Sequence, residues 1–149
     1  MLQLKRTDSS DPDFQSLVKL LDIDLAIKDG NEHEFYAQYN KIDAIQHVLV
    51  CYIDGHLAGC GAFKPFDDES VEIKRMFVQP EQRGNRIAAH ILKALEDWAV
   101  ELNINKAVLE TGTNNPQAIQ LYTREGYIQI PNYGQYEGMS NSVCFCKLL

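Results

Sequence analysis

The chain has 149 residues, 45% of them hydrophobic, and a net charge of −7 from 14 basic and 21 acidic side chains. This length suits one domain with a sizeable core, spanning residues 1–149. The excess of acid argues against nucleic acid as a partner, because such binding draws on clustered Lys and Arg. No apolar run approaches the ~20 residues that span a membrane, and the opening MLQLKRTDSSDPD lacks the apolar stretch of a secretion signal, so a cytoplasmic protein with no membrane partner is expected.

In chain order, Leu2 to Arg6 reads as a strand. Pro12 opens a helix carrying Phe14, Leu17, Val18, Leu21 and Leu25, which ends near Gly30. The polar, aromatic-containing segment Asn31 to Lys41 is expected to be helical in part. Ile45 to Ile53 and Leu57 to Phe63 form a hairpin around Asp54-Gly55, a dipeptide that two-residue turns favour.

Val71 to Val78 is the next strand. Strict alternation would place Glu72, Lys74, Met76 and Val78 on one face and Val71, Ile73, Arg75 and Phe77 on the other. A helix from about Asn85 to Leu102 follows, with Ile87, Ala88, Ile91, Leu92, Leu95, Trp98, Ala99 and Leu102 as its sheet-facing stripe. Lys106 to Thr111 is a strand. Asn115 N-caps a short helix with Pro116 at its first position and Gly126 past its end. Tyr127 to Ile130 and Val143 to Leu148 complete the strands.

Two stretches carry chemistry. In the first, a strand ending at Val78 feeds a turn containing Pro80, and Arg83-Gly84-Asn85-Arg86-Ile87-Ala88 opens the long helix. Backbone N–H groups at a helix start lack intrahelical partners and the helix dipole adds partial positive charge, so such a junction binds anions. Gly84 permits close approach, Arg83 and Arg86 add charge, and the expected ligand is a phosphate or pyrophosphate. The stretch is neither a P-loop nor a dinucleotide fingerprint, because the Gly-Lys-Ser/Thr and the further glycines are missing. The second stretch runs from Asn114 to Tyr127, NNPQAIQLYTREGY.

Together the two stretches resemble the GNAT superfamily of acyl-CoA-dependent N-acetyltransferases. That family's acyl-CoA motif, Gln/Arg-x-x-Gly-x-Gly/Ala, is met by Arg83 to Ala88, with Arg86 at the usual central glycine. Its second motif is matched by Asn115, Ala118, Leu121, Tyr122, Gly126 and Tyr127. The resemblance implies a single α+β domain whose mixed, mainly antiparallel sheet is flanked by helices. The sheet would splay open between the strands at Val71–Val78 and Lys106–Thr111, with acetyl-CoA in the wedge and no metal.

It further implies that backbone groups of Met76, Phe77 and Val78 pair with the pantetheine arm, one N–H polarising the thioester carbonyl. Arg83, Gly84, Asn85, Arg86, Ile87 and Ala88 would hold the pyrophosphate, and Asn115 would reach the CoA arm or only cap its helix. Transfer to an amine needs a base to remove its proton, donors for the developing oxyanion and an acid for the departing thiolate. By resemblance Tyr122 is that acid. Glu72 is the leading base, and Glu110 is its rival across the wedge.

His33 to Tyr39 and the loop Asn132-Tyr133-Gly134-Gln135-Tyr136-Glu137 would flank the acceptor, for which a small amine is favoured over a nucleic acid or a large basic protein. Cys51, Cys60, Cys144 and Cys146 form no disulfide or metal pattern and read as reduced, mostly buried thiols. His33, His47, His56 and His90 receive no role. The other readings are an acyl-CoA-binding sensor without catalysis and an interaction domain on the same fold. A homodimer through an apolar edge is compatible with the sequence, but no residue identifies the interface.

Overall fold

The computed structural model describes residues 1–30 and 44–149. Its strands are β1 (Leu2–Thr7), β2 (His47–Ile53), β3 (His56–Pro65), β4 (Ser70–Val78), β5 (Lys106–Gly112), β6 (Ile128–Ile130) and β7 (Ser142–Leu148). Among the described residues the helices are α1 (Pro12–Asp29), α2 (Ile87–Glu101) and α3 (Pro116–Arg124). The strands form one mixed sheet in the order β1-β2-β3-β4-β5-β7-β6, antiparallel except where β4 meets β5. This is the α+β layout anticipated from the sequence. The expected helix within Asn31 to Lys41, and the segment His33 to Tyr39, lie outside the described residues.

Local chemistry explains the elements. Asp11 caps α1, its side chain accepting from the N–H groups of Asp13 and Phe14, and Lys5 holds the same carboxylate at 2.7 Å. The β2–β3 turn has positive φ at both Asp54 (49°) and Gly55 (82°), the backbone twist a tight hairpin requires. Phe14, Leu17, Val18 and Leu21 of α1 pack on one face of the sheet with Val48, Val50, Cys60 and Phe77. On the other face Ile87, Ile91, Leu92, Leu95 and Ala99 of α2 pack with Leu49, Phe63, Ile73 and Leu109. Full burial of each such side chain contributes roughly 1.5–3 kcal/mol against leaving it in water.

Two sequence expectations need correction. Helix α2 starts at Ile87, later than Asn85, because Gly84 (φ 92°) and Arg86 (φ 59°) are left-handed and cannot belong to a right-handed helix. Its buried face also includes Ala89 and Glu96, whereas Leu102 lies beyond the helix and is exposed.

The alternation along β4 also breaks. Cys60 pairs with Phe77 but Ala62 pairs with Lys74, so Arg75 and Met76 together oppose Gly61. Arg75 sits at φ 61°, and this extra residue makes a β-bulge. The bulge moves Met76 and Val78 to the α2 face with Val71 and Ile73. Phe77 turns towards α1, where Arg75 Nη1 meets Asp22 Oδ1 at 3.0 Å. No helix of the described residues is long and apolar enough to cross a membrane.

Candidate active site

Strands β4 and β5 are joined only at their starts. Ser70, Val71 and Glu72 pair with Lys106, Ala107 and Val108, and the ladder then stops. Beyond it the strands diverge around a cleft of about 630 Å³ that α1, the start of α2 and α3 complete. The bulge at Arg75 and the splay occur on the same stretch of β4. The edge of β4 from Ile73 to Val78 therefore runs along the cleft instead of pairing with β5.

At one end of the cleft stands the N-terminus of α2. Its first intrahelical bond is donated by His90 N–H to Arg86 O at 3.1 Å, and no side chain caps it. The N–H groups of Ile87, Ala88 and Ala89 precede that bond, so the helix start presents donors and the positive end of its dipole. A Cβ on Gly84 would meet nothing within 4 Å, so the glycine is there for its backbone conformation rather than for space. Arg83 Nε donates to Val78 O at 2.9 Å, and its guanidinium lies 5.7 Å from the centre of the Phe77 ring. Arg86 is 67% exposed and reaches Glu125 at 3.6 Å, away from the backbone it follows. Asn85 is exposed, donates to Gln82 O at 3.4 Å and stands outside the cleft wall.

The middle of the cleft is charged and largely buried. Glu72 is 5% exposed, and its Oε2 accepts from Tyr133 Oη at 2.7 Å. Its Oε1 lies 3.8 Å from Lys74 Nζ. Glu110, opposite Cys144 on β7, carries a carboxyl pushed up to about 7 by burial. A Ser142 hydrogen bond and the Lys74 charge pull it down, and the charges of Asp29 and Glu72 push it up. Tyr122, on α3, is 7% exposed, and burial together with the Glu110 charge holds its phenolic proton above the usual range. Tyr127 and Phe145 pack its ring at 5.7 and 6.4 Å between centroids.

The other residues expected to catalyse or to hold acetyl-CoA line this one cleft: Glu72, Met76, Phe77, Val78, Arg83, Gly84, Arg86, Ile87, Ala88, Glu110, Asn115 and Tyr122. Asn115 does cap α3, its Oδ1 accepting from Ala118 N–H at 3.3 Å. Tyr133 and Tyr136 of the β6–β7 loop come over the carboxylates. Tyr133 bonds Glu72, and Tyr136 is buried on the cleft wall.

Sequence reasoning missed Lys74, Ser142 and Glu96. Lys74 and Ser142 are ordinary strand residues until the register brings them to Glu110. Glu96 left a weak signal, an acid inside the apolar stripe of α2. It is 4% exposed, accepts from Tyr127 Oη at 2.9 Å and pairs with Lys147 at 3.0 Å, which fixes the ring that packs on Tyr122.

Comparison with known proteins agrees with this geometry. The family model of the acetyltransferase (GNAT) family matches residues 14–127. An IAA acetyltransferase from Azospirillum brasilense is 38% identical over 90 residues, which cover 59% of this chain and 58% of that protein, so the match spans little more than half of the relative. The crystal structure of a Klebsiella pneumoniae subsp. pneumoniae protein named as an acyl-CoA N-acyltransferase superposes with a TM-score of 0.79 at 27% identity, covering 100% of this chain and 98% of that one. A GNAT family acetyltransferase from Elizabethkingia anophelis, solved with acetyl-CoA bound, gives a TM-score of 0.70 at 17% identity over 99% and 98% of the two chains.

Proposed function

The chain belongs to the GNAT family of acetyltransferases, and from that premise we propose that it moves an acetyl group from acetyl-CoA to the amine of a small acceptor, by direct transfer in a ternary complex. The observation that carries the reading is the make-up of one cleft. An uncapped helix N-terminus suited to phosphate stands at one end, and a half-buried carboxyl poised near neutral pH stands beside a protonated phenol in the middle.

The residues present fit acetyl-CoA. The α2 N-terminus and Gly84 offer backbone donors for the pyrophosphate, with Arg83 and Arg86 adding charge. The β4 edge released by the splay offers Met76, Phe77 and Val78 to the amide-bearing arm as a further strand would. The departure at Arg86 is compatible with this role, because its side chain turns to Glu125. Asn115, already capping α3, lies where it can also meet the arm.

For the chemistry, Glu110 is the better base. Its carboxyl titrates near 7, so it is substantially ionised at neutral pH yet basic enough to take a proton from an ammonium. Glu72, held by Tyr133 and Lys74, positions the amine and balances its charge. A backbone N–H of the β4 bulge region stabilises the oxygen of the attacked carbonyl. Tyr122 keeps its proton until the sulfur departs and then donates it. The carboxylate-lined middle of the cleft, where a single cationic amine would be neutralised, supports a small acceptor.

The test is release of CoA thiol from acetyl-CoA over a panel of small amines, with Glu110→Gln beside the wild type. Amine-dependent release that collapses in the variant is expected. Acetyl-CoA binding without release for any amine would overturn catalysis and favour the sensor alternative.

A further inference from the structure

One amine is already inside the cleft. Lys74 stands on β4 two residues before Met76, on the cleft wall, with 9% of its side chain exposed. Its Nζ lies 3.8 Å from Glu72 Oε1. Its charge also acts on Glu110, the carboxylate whose charge acts on Tyr122, so one carboxylate serves both the lysine and the phenol. Burial lowers the Lys74 ammonium below its ordinary value and the charges of Lys64 and Arg75 add to this, while Glu72 and Glu110 oppose it. A lysine in these surroundings holds more neutral, nucleophilic amine than one in water.

Resting on the acetyl-transfer reading of the cleft, we propose that Lys74 is itself an acceptor, and that the protein acetylates its own Lys74 Nζ when acetyl-CoA is bound and no outside amine competes. The Lys74 ammonium gives one proton to Glu110. The freed lone pair forms the N–C bond to the acetyl carbon as the C–S bond breaks, the sulfur takes the Tyr122 proton, and the second Nζ proton restores that phenol. In sum, an ammonium and a thioester become a secondary amide and a free thiol, with one proton released to solvent. The amide carries no charge. Modification therefore removes the cation facing Glu72 and Glu110 and fills the space an outside amine would use, so turnover of that amine falls.

The experiment incubates the full chain with acetyl-CoA alone and reads acetyl groups by intact mass and peptide mapping. One acetyl group per chain is expected, on Lys74, at a rate independent of protein concentration. It should form at least about tenfold faster than at Lys93, because a held amine has a high effective molarity. Lys93, at 68% exposed, is the surface reference. Heat-unfolded chain should lose that preference, and Tyr122→Phe should slow the reaction. If acetyl-CoA binds and outside amines are acetylated while Lys74 stays unmodified, the inference falls and the transferase reading stands. Acetyl groups spread over exposed lysines with Lys74 spared overturn it equally. Absence of acetyl-CoA binding overturns both.

Discussion

At the start of α2 the cleft offers exposed backbone N–H groups flanked by two arginines; in its middle it offers the carboxyls of Glu72 on β4 and Glu110 on β5, beside the phenols of Tyr122 and Tyr133. The first end works through atoms every residue carries. On the proposed reading Arg86 is compatible there where a glycine is usual, since its backbone is left-handed (φ 59°) and its side chain reaches Glu125. The second end works through side chains that differ from solvent-exposed ones only because they are buried. The same acid on a surface would titrate near 4.5 and be a poor base. A mutation at the first end should change affinity, and one at the second should change rate and pH dependence.

Glu110→Gln should break the second end most severely. With an acceptor found in the thiol-release screen, kcat/KM should fall by about 10²–10⁴-fold, the range for a lost general base. The wild-type rate should rise with pH through about 7 as the carboxyl ionises, and the variant should lose that limb. Tyr122→Phe should lower kcat by about 10²-fold with little change in the KM for acetyl-CoA, because the phenol acts only as sulfur departs. Unchanged kcat in that variant would remove Tyr122 as the acid.

Stability sharpens the same comparison with the opposite sign. Because the folded carboxyl of Glu110 titrates near 7 against 4.5 for the free group, the folded protein binds its proton more tightly than the unfolded chain between those values. Stability from this group is therefore present below that window and lost as pH rises through it. Glu110→Gln should accordingly stabilise the fold at pH 8 by about 1–3 kcal/mol, seen as a higher Tm, and give no gain at pH 4. At the first end, Arg83→Ala with Arg86→Ala should weaken acetyl-CoA binding about tenfold, more at low salt than at high, and leave kcat nearly unchanged.

How much of this was legible in the sequence follows from the range of the interactions. The Pro12 start of α1, the Asn115 cap of α3, the Asp54-Gly55 turn and the packing face of α1 are local, and each was written in neighbouring residues. The uncapped start of α2, proposed to bind an anion, was likewise marked from six consecutive residues, with its first helical position misplaced because two left-handed residues look ordinary in sequence. The bulge at Arg75 is set by pairing with β3, which alternation cannot see, so Met76 and Val78 were placed on the wrong face. The groups around Glu110 come from β4, β7 and α1, and only the tertiary fold brings Lys74, Ser142 and Asp29 to it. The choice between Glu72 and Glu110 is therefore one that the sequence leaves open. Tyr133 and Tyr136 were marked as an acceptor flank, but their approach to the carboxylates depends on the three-dimensional path of the β6–β7 loop.

The claim that the two ends serve one ligand is tested most directly by calorimetric titration of the protein with acetyl-CoA, beside the Arg83→Ala, Arg86→Ala variant. Saturable binding of one molecule per chain, weakened in the variant, is the predicted result. No binding by the wild type at millimolar acetyl-CoA would contradict the account and leave a GNAT fold without the family's co-substrate.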